Sequence, residues 1–226
     1  MTCESSVIVP PELRALEVML AEKIGISVGP TMPIWEILGL PEEVAGMTIV
    51  DLAAGASPLT HDLLQAGADA YAFDCVYQKS EEELHQLIKV YHQEILKFVN
   101  QKEEISEEIN RDKEVFWRSL RIERDRYICG WMTELPFPSD FSDLTLSFEG
   151  ATHVGANNFD LMWLITQEAL RITKQGGKVI MSPIYSETHS QLIKRLNFQE
   201  GIRSTHELPD RAKRYSEFRR ITIIKC

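Results

Sequence analysis

None of the four cysteines, Cys3, Cys75, Cys129 and Cys226, stands in a C-x-x-C pair. That scattering excludes a disulfide framework and a zinc ribbon, and it points to a reducing compartment, the cytoplasm. No window approaches ~18 uninterrupted apolar residues, so no membrane span is expected. The opening MTCESSVIVPPELRALE has no basic stretch ahead of an apolar one, which speaks against a secretory signal. There is no internal repeat, and 12 Gly and 10 Pro in 226 residues rule out collagen-like and low-complexity chains. From Ala68 to Cys129 there is neither Gly nor Pro, which leaves room for long helices.

What is present suits one globular domain with additions. Hydrophobic residues make up 44% and charged residues 26%, enough to bury a core. Net charge is −10, so a phosphate backbone is not the default partner. The charge is uneven. Residues 194–226 hold nine bases and four acids, a net +5, which leaves −15 for residues 1–193. A basic C-terminal region can steer an anionic partner, although a solvated face is the simpler reading.

Residues 11–25 place Leu13, Leu16, Leu20 and Ile24 at helical spacing, and Pro11 suits a first turn. A short helix over Ile34–Leu38 follows, stopped by Gly39-Leu40-Pro41. Met47–Ala53 is a short β-rich run and reads as a buried strand. A turn, Ala54-Gly55-Ala56-Ser57-Pro58, leads into a helix to Ala66, and Ala70–Asp74 is a second strand. Strand, tight turn, helix, strand is a βαβ unit and implies a parallel sheet. Two apolar stripes over 79–126, Leu84 to Val99 and Ile105 to Leu120, predict one long helix or a hairpin of two. That is more than a sheet crossover needs, so it reads as an insertion. It can serve as a lid, a dimer surface or a solvated arm, and its apolar stripe disfavours the last.

Further strands are expected at Tyr127–Cys129, Asp143–Phe148, Lys178–Ser182 and Phe218–Lys225, with a weaker one near Gly201–His206. Helices are expected at Asn158–Thr173, capped by Gln175-Gly-Gly177, and at Glu187–Leu196.

The chemistry gathers around Asp51-Leu-Ala-Ala-Gly55-Ala-Ser57. An acid closes the strand, small residues fill the turn and a helix begins at once, so a ligand can approach backbone N–H groups. Asp74 closes the second strand 23 residues later, where a carboxylate can accept from both ribose hydroxyls. This is a nucleoside site at the carboxyl edge of a parallel sheet. The turn is a poor match to G-x-G-x-x-G, and Asp51 would repel a pyrophosphate. The acid suits the cationic end of S-adenosylmethionine instead.

These features resemble the class I S-adenosylmethionine-dependent methyltransferases, over about residues 43–226 outside the insertion. VDLAAGAS is similar to the family's acid-x-G-x-G-x-G motif, and Asp74 to its ribose-binding acid. Gly130-Trp-Met-Thr-Glu-Leu-Pro-Phe137 resembles a G-D-A-x-x-L-P-F run of small-molecule members. Asp143–Phe148 with Thr152-His153-Val154, and Ala169–Lys178, resemble the elements around the fourth and fifth strands. Ala53 and Ser57 replace two family glycines, and Trp131 stands where an acid often holds the adenine amino group.

The resemblance implies a seven-stranded, mostly parallel Rossmann-like α/β sheet with helices on both faces. It implies an N-terminal helical cover (1–42) and a domain (43–226) with a helical insertion at about 79–126 after the second strand. It implies an S-adenosylmethionine site of Asp51, Ala53, Gly55, Ser57, Asp74, Cys75, Trp131, Met132 and Phe148. Trp131 would cover the adenine face, with backbone groups of Trp131 and Met132 reading its edge. His153, after the fourth strand, is the candidate general base, and a hydrogen-bonded structural histidine is its plainer reading. Glu149 is similar. Tyr77 and Tyr185 are candidates to line an acceptor pocket, and Cys75 and Cys129 also read as small core residues. The expected partner is a small-molecule acceptor, with a homodimer through the insertion as an option. The alternatives are a non-catalytic module and a protein or RNA methyltransferase docking through 194–226.

Overall fold

The computed structural model describes residues 9–24, 34–98, 102–155, 158–182, 186–207 and 220–226. Two helices come first, α1 (Pro11–Ile24) and α2 (Ile34–Leu38). Then β1 (Thr48–Leu52), α3 (Leu59–Gln65) and β2 (Asp69–Phe73) form the expected βαβ unit. The insertion is a hairpin of two helices, α4 (Glu81–Phe98) and α5 (Lys102–Ile122). After it come β3 (Tyr127–Ile128), β4 (Ser142–Phe148), α6 (Gly150–Gly155), α7 (Phe159–Ile172) and β5 (Thr173–Ser182). The chain closes with α8 (Ser186–Leu196), β6 (Ile202–Glu207) and β7 (Arg220–Lys225).

The sheet order is β3-β2-β1-β4-β5-β7-β6. The first five strands are parallel, and β7 runs antiparallel to β5 and β6. Strand order reverses between β1 and β4, so a crevice opens at their carboxyl ends. Alternation along β1 supplies both faces. Val50 and Leu52 join the core of α7 and α8, while Ile49 joins that of α2 and α3. Among the described residues, no helix is long and apolar enough to cross a membrane.

The hairpin is antiparallel, because Glu81 pairs with Arg121, His85 stacks on Trp117 and His92 meets Lys113. Its apolar stripe is buried within the chain. Leu84, Ile88, Ile109, Phe116 and Leu120 pack with Ala54 and Ala56 of the β1 turn. The hairpin is thus a layer behind the turn, which gives its stripe an intramolecular partner.

Three sequence expectations are corrected. The fifth strand begins at Thr173, five residues early, because Thr173 pairs with Ser142 before the register shifts and Leu144 meets Lys178. The Thr173 hydroxyl donates to the Ala169 carbonyl at 2.6 Å and shares a hydrogen bond with Thr145 at 2.8 Å, which holds that early pair in place. The segment trailing β4, for which the sequence suggested no helix, forms one, α6. Cys129 is exposed, since β3 has two residues and sits on the sheet edge. Tyr185 and residues 208–219 of the basic C-terminal region lie outside the described residues.

Candidate active site

Register places the two acids. Asp51 pairs with Ala72, and Asp74 lies two residues further along β2's path, hence on the same face. Asp51 is 3% exposed and ends the central strand of the parallel sheet. Among the described residues, none donates a hydrogen bond to its carboxyl. Burial, with the Asp74 charge adding to it, pushes its pKa up to about 8. A buried carboxyl with no donor and a like-charged neighbour is costly for folding, and such groups cluster at functional sites.

Asp74 shapes the turn through both carboxylate oxygens. One oxygen accepts from the Gly55 N–H at 2.9 Å and the other from the Val76 N–H at 2.9 Å. The second bond caps a short 3-10 turn, Cys75–Gln78. Burial raises the Asp74 pKa, and these amides oppose the rise. Each oxygen keeps a lone pair for a further donor.

The turn itself is left-handed twice. Gly55 has φ +56°, which glycine adopts freely. Ala53 has φ +55°, where the family motif carries glycine, and an L-residue there costs about 1–2 kcal/mol. Glu149, at the end of β4, has φ +61°. Two of the strained non-glycine positions therefore flank the β1–β4 crevice, the sort of place where strain is retained for function. Ala53 also explains Gly150. A Cβ on Gly150 would lie 2.0 Å from the Ala53 Cβ, so the two elements approach as closely as a single methyl allows.

The other expected residues divide. Cys75 is half-buried beside Asp74, and burial pushes its thiol pKa up. Met132 is buried in the α7 core, and half-buried Trp131 bridges to Glu134 in a tight turn. Ser57 is engaged as a cap, accepting from the Leu59 N–H at 3.1 Å. Phe148 is buried against α2 and α3. His153 donates from Nδ1 to the Glu149 carbonyl at 2.8 Å, which fixes the ring over the start of α6. Tyr77 does not face open space: it is 2% exposed and lies behind the turn.

Sequence reasoning missed Glu17. This α1 residue is 1% exposed and accepts from the Thr133 hydroxyl at 2.5 Å and the Thr133 N–H at 3.2 Å. Arg14 bridges it to Glu134, with contacts of 3.2 and 2.6 Å. The Glu17 charge also helps push up the pKa of the Cys75 thiol. Glu17 thus fixes α1 to the 131–134 turn beside the crevice. Its one sequence signal is position, four residues after Leu13 and three before Leu20, inside the apolar stripe. Glu17→Ala strips the Thr133 hydroxyl and N–H of their acceptor. It is expected to cost about 3 kcal/mol, read as a fall in Tm of roughly 6–12 °C by calorimetry.

A parallel sheet with order 3-2-1-4-5 extended by an antiparallel pair, and acids at the tips of β1 and β2, is the class I methyltransferase fold. Solved structures agree. A proposed S-adenosyl-L-methionine-dependent methyltransferase from Methanococcus maripaludis superimposes with a TM-score of 0.54 and 15% identity, over 98% of this chain and 96% of that one. TrmN from Thermus thermophilus matches with a TM-score of 0.50 and 16% identity, over 97% of this chain and 54% of that one. No family model matches the chain, and no curated protein matches it. At such identities the likeness is one of fold.

Proposed function

We propose that this protein is an S-adenosylmethionine-dependent methyltransferase acting on a small organic acceptor. The observation that carries this reading is Asp51, a buried carboxyl to which none of the described residues donates a hydrogen bond, at the point where strand order reverses. Such a group fits the ammonium end of an adenosyl amino acid and disfavours a pyrophosphate. The free lone pairs of Asp74 fit ribose hydroxyls. The left-handed turn at Ala53–Gly55 keeps side chains away from the ligand's path.

When bound, the cofactor supplies a methyl group on a positively charged sulfur, already an activated centre. The chain's own residues then have three tasks. Asp51 and Asp74 orient the two ends of the ligand. The close approach of Ala53 and Gly150 narrows the crevice, which limits water and fixes alignment, the main demand of an in-line displacement. His153, held through Nδ1 by the Glu149 carbonyl just after the fourth strand, is the candidate base for an acceptor that must lose a proton. The acidic body, net −15 over residues 1–193, favours a small acceptor over a polyanion.

A second reading, a non-catalytic module with this fold, draws on Glu17, which already takes the Thr133 N–H next to the Trp131 and Met132 backbone groups expected to read a nucleobase edge. Isothermal calorimetry with S-adenosylhomocysteine separates the two. Saturable binding is expected, and the absence of binding at millimolar ligand would leave only the module.

A further inference from the structure

Gly55 is the most mobile residue type at the most consequential position of the crevice, and the structure holds it on both sides. Its N–H donates to Asp74 at 2.9 Å. Its carbonyl accepts from the Tyr77 hydroxyl at 2.8 Å, in a buried bond. The two bonds lie on different peptide units, so together they lock both φ and ψ of Gly55. Glycine has the widest backbone freedom of any residue, which makes such locking count for most here.

Packing alone does not call for a tyrosine at position 77. Its ring makes an edge contact with Tyr127, which in turn meets Phe116, and Ala54, Ala56 and Val76 complete an apolar surround. A phenylalanine would fill that space equally well. A buried hydroxyl is unfavourable unless bonded, and the bond this one makes is to Gly55. Arg124 adds a tether, donating to the Tyr77 carbonyl at 3.2 Å.

We infer that Tyr77 is a positioning residue for the crevice, and that the α4–α5 hairpin is the buttress that sets how tightly the crevice holds its ligand. Phe116 of the hairpin packs on Tyr127 of β3, Tyr127 packs on the Tyr77 ring, the Tyr77 hydroxyl fixes the Gly55 carbonyl, and Asp74 fixes the Gly55 amide. This rests on the methyltransferase reading, because the ligand is taken to be the adenosyl group.

The test uses the full chain, S-adenosylhomocysteine calorimetry and amide hydrogen exchange over 53–57. Tyr77→Phe is expected to weaken binding about tenfold and to speed exchange in the turn even without ligand. Phe116→Leu, which loosens the buttress one contact back from Tyr77, is expected to lower Tm and to weaken binding about threefold; a lowered Tm with unchanged affinity would overturn the hairpin's part in holding the ligand. If Tyr77→Phe binds as the unmodified chain does and exchanges no faster, the inference is overturned while the methyltransferase reading stands. If the unmodified chain binds nothing but exchange still rises in Tyr77→Phe, the buttress survives and the ligand assignment fails. Should Tyr77→Phe not fold, Arg124→Ala is measured instead. A loss of about threefold supports the inference, and unchanged affinity overturns it.

Discussion

Asp51→Asn is expected to make the protein more stable and worse at binding, and both effects grow from one carboxyl. In the free chain that carboxyl titrates near 3.8, and in the fold it titrates at about 8. Between those values the unfolded chain has released a proton that the folded chain still holds. Stability therefore falls as pH rises through that window and is lowest above it. Asparagine keeps the shape and never ionises, so it removes the penalty. The Tm advantage of Asp51→Asn should be small near pH 5 and grow toward pH 8, reaching about 2 kcal/mol or more above it. That corresponds to roughly 4–8 °C in a chain of this size. The opposite holds for S-adenosylhomocysteine. Losing a buried charge partner for its ammonium costs about 2–5 kcal/mol, so affinity should drop at least ~30-fold. Because Asp51 must ionise to receive the ammonium, binding near neutral pH should also release a proton. Calorimetry in buffers of different ionisation enthalpy detects it. A variant that binds normally, or is less stable at high pH, sinks the role given to Asp51.

Gly150→Ala is the second large effect, and a partner substitution should largely cancel it. The added methyl would sit 2.0 Å from the Ala53 Cβ, a contact that forces the crevice apart. The expected cost is about 3 kcal/mol or more. Ala53→Gly removes that Cβ and relieves a left-handed alanine, worth about 1–2 kcal/mol, against about 0.4–1 kcal/mol of added freedom in the unfolded chain. In the double variant the new methyl meets the Ala53 Cα position at 3.3 Å and the Leu52 carbonyl oxygen at 3.4 Å, tight but tolerable. Denaturant unfolding of the four proteins should give an interaction energy of about 2 kcal/mol. Additive behaviour would mean that Ala53 and Gly150 do not meet in solution.

Much of this was legible beforehand because it is local. Strand β1 is a short apolar run ended by an acid and small residues, and its turn chemistry follows from Gly55 and Pro58. The hairpin was legible from two apolar stripes and an absence of helix breakers, although its choice of partner was not. What stayed hidden was set by distance along the chain. Glu17 acquires meaning from Thr133, 116 residues away. Tyr77 looked like a pocket residue until its hydroxyl was seen on Gly55, 22 residues earlier. Helix α6 was obscured by glycines at both ends and a β-branched interior, features that argue against a helix unless packing overrides them. The early start of β5 was masked by Gln175-Gly-Gly177, which reads as a stop although pairing begins before it.

The contact of α1 with the 131–134 turn bears on how this protein can be cut for expression. A recombinant fragment starting after Ile24 would lose a whole helix and strip the Thr133 hydroxyl and N–H of their acceptor. It would also expose the apolar ground on which Leu16 rests. Such a fragment should aggregate or express poorly, and its failure to bind would say nothing about the crevice. The first helix belongs to the folding unit and has to travel with it.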